Sequence, residues 1–375
     1  MNTPELREAC AAKLSAAASQ VGGLTAFVGL DGFVDEIVHA VDKRENAESY
    51  SRITGMTRLA GRIAAAAGKS TNIEVVTQRT KLGGNGPIMA NALASLGLKV
   101  TYVGTLGFPT MHPVFNDFGN RAEVHTIGPA GHTDALEFED GKLMLTQTAQ
   151  LSEVTWANIQ SRYSRSEFER HFGRDSLIAF VNWTMIPHMS EIWRSLLAEL
   201  CPALNGPRRM IFFDLADPEK RPAKDIAEAL ELIRRFTAHF DVCLGLNEKE
   251  ACELAEVMGV VAQPRTPEGL SALARAMMAK LAITTLVIHP VTYALAVTGD
   301  KVDVVEGPYV PKPLITTGAG DHFNAGFCLG KLLGLDNAMC VLTGVATSGF
   351  YVRSAKSPAV GELAELLRAW PVSQA

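Results

Sequence analysis

The chain has 375 residues, of which 47% are apolar and 20% charged, a globular composition with ample material for a large core. Its formal net charge of −5 and the lack of any Lys- or Arg-rich run argue against a nucleic-acid or anionic-membrane binder, which needs a basic face. Six scattered cysteines without a CxxC pair read as reduced core residues of a cytoplasmic protein.

In chain order, Met1–Gln20 carries Glu5, Arg7, Glu8 and Lys13 and no unbroken apolar run, so it predicts a helix and not a signal peptide. A strand is expected over Thr25–Leu30. A polar excursion over 41–81 follows, with a helical stretch at Thr57–Ala67; it is either a lid over a site or a surface decoration. Pro87 and Gly97 bound a helix over Pro87–Leu96, and Val100–Gly104 reads as the next strand. Leu136–Thr148 predicts two strands around the turn signal Asp140-Gly141.

Beyond it, strands at Leu177–Asn182, Met210–Asp214, Val242–Leu246 and Thr285–His289 alternate with helices over Ser190–Leu200, Ala223–His239, Glu248–Met258 and Pro267–Leu281. The weakly charged stretch Leu281–Gly299 is broken by His289-Pro290 and rich in β-branched residues, so it reads as two strands and not as a membrane span. Runs such as Met210–Phe213 are apolar on both faces and need cover on both. The predicted fold is therefore one doubly wound, mainly parallel α/β domain over residues 1–375, with lid segments near 41–81 and 136–148.

The most informative segment runs from Thr316 to Phe327. Gly318, Ala319 and Gly320 put bare amides at a helix N-terminus, which is a ready anion site, and Asp321 follows directly. Such donors can hold the charge that grows on a moving phosphoryl group, and Asp321 can take a proton from an attacking hydroxyl. The plainer alternative is that Asp321 only complements the helix dipole. Gly326 and Gly330 are expected to let this helix press closely on the sheet.

Gly83, Gly84 and Asn85 open the helix over Pro87–Leu96, where an ordinary strand-to-helix turn is the plainer reading; the functional one is that bare backbone lets a ligand approach and Asn85 bonds sugar hydroxyls. Asn247 and Glu250 have capping-box spacing, and the same side chains could instead face hydrated Mg²⁺. Asp31 and Asp35 follow the first strand, where open α/β sheets bind ligands; either can hold substrate or cap the next segment. Gly68-Lys69-Ser70 lacks P-loop spacing, and the sequence holds no HExxH, paired Cys/His cluster or GxSxG. His322, Trp156, Trp183, Trp193 and Trp370 read as packing residues.

In order, these motifs resemble the ribokinase-like (PfkB) sugar kinase family. They are a Gly-Gly-Asn turn before an Ala-rich helix ending in Leu-Gly, then Asn-x-x-Glu, then Gly-Ala-Gly-Asp. The likeness spans roughly residues 25 to 365. It implies Asp321 as base, Gly318 to Gly320 as anion hole, and Asn247 with Glu250 near Mg²⁺. It also implies that Thr317, Gly318, Gly320 and Asn247 meet ATP, that Asp35, Gly83, Gly84 and Asn85 face the sugar, and that the lid comes from 41–81 and 136–148.

Three positions depart from the family's pattern. Ile315 replaces an Asp that helps bind a monovalent cation, so potassium dependence stays open. Ile88 replaces an Asn, leaving Asn85 or Asn91 to contact the sugar. His289-Pro290 replaces a glycine-bearing nucleotide loop.

The expected reaction is transfer of the γ-phosphoryl of ATP to a hydroxyl of a sugar or sugar-like substrate. A nucleoside kinase, a phosphorylated acceptor met by Arg79 and Lys81, and a silent sugar-binding regulator are the alternatives, and the lid edges leave a homodimer possible.

Overall fold

Strand Met210–Asp214 is buried at every position, as are Leu177–Val181 and Thr285–Ile288, and strands of that kind demand helices on both sides. The computed structural model, which describes residues 2–371, meets that demand. Nine strands form one sheet in the order 301–306, 293–298, 285–288, 241–246, 210–214, 177–181, 25–30, 99–104 and 123–126. The last seven are parallel, and the first two add antiparallel at one edge.

One face packs helices Pro4–Val21, Asn85–Ser95, Ala319–Leu332, Asn337–Ser354 and Val360–Arg368 around Val28, Met89, Phe212 and Phe323. The other packs Arg165–Arg174, Met189–Ser195, Ala223–Phe236, Glu248–Val257 and Pro267–Leu281 around Phe27, Trp183, Trp193 and Phe213. The fold is thus doubly wound and mainly parallel, with helices on both faces.

The chain leaves strand 25–30 toward one sheet edge and returns at 177–181 to build toward the other. Strand order therefore reverses between these two neighbours, and ligands of such sheets sit outside the carboxyl ends at that point. The carboxyl ends there are Leu30-Asp31 and Val181-Asn182.

A second sheet of five strands stands over this end: Phe33–Arg44, Tyr50–Arg52, Val75–Gly83, Gly131–Glu137 and Lys142–Gln147. Helix Met56–Ala65 closes it by burying Leu59 near Val38, Ala40, Ile53 and Leu136. This lid sheet begins earlier than the segments 41–81 and 136–148 predict, at Phe33 and at Gly131. Strand Phe33–Arg44 follows the main sheet after only two residues, and a register shift between Ile37 and Val38 breaks the alternation that would mark it. Its edge strand Lys142–Gln147 leaves Met144 and Leu145 exposed.

Gly326 and Gly330 serve a neighbouring helix and not the sheet. A Cβ on Gly326 would lie 2.2 Å from Thr347 Oγ1, and one on Gly330 would lie 2.9 Å from the Cys340 Cα. All six cysteines are free, and five of them are buried. Trp183 and Trp193 are fully buried, while Trp156 and Trp370 pack against the two cores. Among the described residues no helix is long and apolar enough to cross a membrane.

Candidate active site

Asp31, at the strand-order reversal, is fully buried. Its Oδ2 accepts hydrogen bonds from Asn85 N at 3.0 Å and Asn182 Nδ2 at 2.7 Å, and its Oδ1 accepts from Gly86 N at 2.8 Å. The Tyr102 hydroxyl donates to its backbone carbonyl. Asp31 therefore anchors the start of helix Asn85–Ser95, far along the chain, and not the strand that follows it. Burial outweighs these donors and raises its pKa to about 6. Asn182, held at φ 61, is a member of this cluster that sequence reasoning missed.

Gly84 takes φ 94 just before the helix, a conformation glycine adopts without strain. Gly83 lies so close to Asp35 that a Cβ there would come 2.3 Å from the Asp35 Oδ1. Asp35 is 4% exposed, stands opposite Lys81 in the lid sheet, and is raised in pKa chiefly by burial. Asn85 Nδ2 donates to Asp321 Oδ1 at 3.0 Å. Of the two asparagines left to replace the one absent at Ile88, Asn85 reaches this centre, whereas Asn91 turns to Ser357.

Gly318 caps helix Ala319–Leu332 at φ 94, with Ile88 packed against it. Ala319 N closes a turn onto Thr316 O at 3.1 Å, so the expected row of three amides is reduced to those of Gly318 and Gly320. Tyr351 fixes the preceding loop by donating its hydroxyl to Thr317 O at 3.0 Å. His322 stacks on Tyr351 at 3.6 Å, bonds Gly318 O through Nδ1 and is 2% exposed, which makes it a packing residue. Thr316, Ala319 and Gly320 line a cleft of about 390 Å³ shared with Asn247, His289, Pro290 and Gly349.

Asp321 is 5% exposed, and burial raises its pKa to about 7. The Asn85 donor and the Lys81 charge pull it down, and the nearby charge of Asp31 pushes it up. A carboxyl poised near neutrality beside helix N-terminal amides is suited to accept a proton.

Asn247 and Glu250 form the capping box that their spacing predicts. Asn247 Oδ1 accepts from Glu250 N at 3.0 Å, and Glu250 Oε2 accepts from Asn247 N at 2.8 Å. Glu250 Oε1 also takes Asp217 N at 2.9 Å, so both of its oxygens hold backbone. Asp214, unremarked in the sequence, is a further buried acid at a strand's carboxyl end. It accepts from Asn324 Nδ2 at 2.8 Å, and burial together with the charges of Glu250 and Asp321 pushes its pKa well up. Three crowded carboxylates offer the hard oxygens and excess negative charge that a hydrated divalent cation neutralises. Glu36, His132 and Asp134, whose ligand atoms lie within 4.8 Å of one another, belong to the lid face opposite Asp35 and lie apart from this centre.

A doubly wound sheet with a β lid over an acid and helix N-terminal amides defines a carbohydrate kinase of the ribokinase-like fold, a phosphotransferase with an alcohol group as acceptor. More particularly, the chain belongs to the prokaryotic ketohexokinase family, whose model matches residues 2–370. It is 30% identical over 346 residues to a ketohexokinase of Haloferax volcanii, covering 92% of this chain and 91% of that one. Among solved structures, Arabidopsis thaliana ribokinase complexed with ribose and ATP aligns at a TM-score of 0.63 and 16% identity, over 92% of this chain and 98% of that one. The Methanocaldococcus jannaschii nucleoside kinase aligns at 0.57 and 13%, with the same coverage. At such identities these two structures speak to the fold alone.

Proposed function

We propose that this sugar kinase transfers the γ-phosphoryl group of ATP to a hydroxyl of a ketohexose, with Asp321 as general base. The observation that carries the reading is the bond from Asn85 to Asp321, which joins the sugar-side glycine loop to the acid behind the anion site. The family match and the Haloferax volcanii relative support a ketohexose as acceptor. The cleft beyond Gly320 supports the nucleotide's place.

In this reading Asp35 and Asn85 hold the sugar's hydroxyls, and Asp31 keeps Asn85 in place through the helix start. The acceptor oxygen attacks the γ-phosphorus, its proton passes to Asp321, and the bond to the bridging oxygen breaks to release ADP. Proton removal of this kind contributes on the order of a hundred- to ten-thousandfold in rate. Each amide among Gly318 and Gly320 that meets the developing charge contributes roughly a hundred- to thousandfold. Mg²⁺, when bound, neutralises the nucleotide's phosphate oxygens. Asp214, Asn247 and Glu250 would hold it through its water, because the oxygens of Glu250 already serve backbone amides.

The free, mostly buried thiols fit a cytoplasmic location. The exposed Met144 and Leu145 on the lid edge fit a homodimer through that edge.

The test is substrate-dependent ADP release with Mg²⁺ across ketohexoses, aldoses and nucleosides. Fastest release with a ketohexose is expected. Sugar binding without any ADP release would instead mark a silent regulator.

A further inference from the structure

The lid carries a cation that the reaction as described leaves without a task. Lys81 sits near the end of strand Val75–Gly83, opposite Asp35 in register, with its side chain 16% exposed. Its ion pair with Asp35 spans 3.7 Å, which is longer than a hydrogen bond, so Asp35 does not use up the ammonium's donors. Burying an ammonium that lacks full hydrogen bonding is costly unless something answers its charge.

Three observations indicate what answers it. Lys81 stands at the end of the lid strand nearest the acid: Asn85, four residues on, bonds Asp321 at 3.0 Å, and the charges of Asp35 and Asp321 both act on Lys81. Arg79 stands two residues further along the same strand, so alternation sends it to the same face. It is exposed, and its charge reaches Tyr351, whose hydroxyl holds the loop before Gly318. The remaining nearby lid cation, Lys142, is tied to Glu137 at 3.1 Å. The amides of Gly318 and Gly320 stand at the start of the helix that carries Asp321, the acid to which Asn85 is bonded.

A neutral sugar hydroxyl is served by carboxylates and amides, and Asp35 and Asn85 supply those. Two cations on one lid face, with helix N-terminal amides beside the same acid, suit a group with several anionic oxygens.

We propose that Lys81, with Arg79 outboard of it, forms a lid-borne phosphate-recognition pair that acts together with Gly318 and Gly320 on one phosphoryl group. The inference rests on the kinase reading above. The phosphoryl group is either the one leaving ATP or one already carried by the acceptor. In the first case the acceptor oxygen bonds to phosphorus as the bridging P–O bond breaks, the acceptor's proton goes to Asp321, and Lys81 keeps its own.

The experiment uses the full chain with Lys81→Met, Lys81→Arg and Arg79→Met. It measures ADP release with fructose, and binding of ATP, fructose and fructose 6-phosphate, beside melting curves that confirm folding. Lys81→Met is expected to lower kcat with fructose about a hundredfold while fructose affinity changes little. Lys81→Arg is expected to recover part of that loss, and Arg79→Met to weaken ATP binding roughly tenfold.

If Lys81→Met instead keeps turnover with fructose but loses a preference of the wild type for fructose 6-phosphate over fructose, the pair recognises an acceptor phosphate and the proposal stands with that source. A folded Lys81→Met that matches wild type in turnover and in all three affinities overturns it. So does one that loses only fructose binding, since Lys81 would then merely hold Asp35. A wild type that releases no ADP would sink the kinase reading itself, and the ATP and fructose 6-phosphate affinities would still decide the role of Lys81.

Discussion

The side-chain amide of Asn85 donates to Oδ1 of Asp321 across 3.0 Å, joining two residues 236 positions apart in the chain. On one side of this bond lies the glycine loop that presses on Asp35, and on the other the helix start that lines the cleft shared with Asn247 and His289. The bond favours the charged carboxylate, yet burial still holds the Asp321 pKa at about 7. An acid in that balance is neutral in mildly acidic solution and becomes a base near the pH of the cell.

This sets the pH dependence of the reaction. As general base Asp321 works only when deprotonated, so kcat/KM for the ketohexose is expected to rise with pH through about 7 and then level off. Below that point it falls tenfold per pH unit. An initial-rate series from pH 5 to 9 checks this, and a profile flat down to pH 5 would remove Asp321 from the role.

The same carboxyl bears on stability. Its folded-state pKa lies above the ordinary value of 3.8, so between about 4 and 7 the folded chain keeps a proton that the unfolded chain has released. Stability is lost as pH rises through that window, because the folded state binds more protons there. Asp321→Asn removes the charge. It is expected to be more stable than wild type by roughly 1–4 kcal/mol above pH 8, with the gap closing below pH 4. Denaturant melts at the two pH values measure it.

Gly83→Ala tests the sugar side. Its Cβ would meet the Asp35 Oδ1 at 2.3 Å, so the carboxylate and the base of the lid strand must shift. The KM for the ketohexose is expected to rise about tenfold or more, while ATP affinity changes little.

Glu250→Gln tests the cation side. A Gln at this position can accept only one of the two backbone amides that Glu250 now holds, so about 1 kcal/mol of stability is expected to go. The Mg²⁺ concentration for half-maximal activity is expected to rise roughly tenfold, read from a magnesium titration of ADP release.

Much of this was legible in the chain itself. Strands Thr25–Leu30 and Met210–Asp214 and helix Pro267–Leu281 fall at the predicted bounds, because unbroken apolar runs and the Thr266–Pro267 start are local signals. The capping box of Asn247 and Glu250 is equally local. The edge strand Glu123–Thr126 was not legible, being short and polar, nor was the start of the lid at Phe33, where a bulge breaks the pattern.

The site was legible as motifs but not as an arrangement. Nothing near Asp31 in sequence reveals that Asn85, Gly86 and Asn182 occupy its oxygens, and nothing near Ala319 shows its amide spent on Thr316. Asp214 had the same signal as Asp31, an acid closing a buried parallel strand, and could have been found by it. The burial of Lys81 depends on the pairing of two lid strands, which a residue pattern alone does not give.

The most direct measurement is the turnover of Asp321→Asn with Mg²⁺, ATP and a ketohexose, taken together with the affinity of each ligand. The account predicts a fall in kcat of about a hundredfold or more with both ligands still bound at near wild-type affinity. Turnover close to wild type would contradict it.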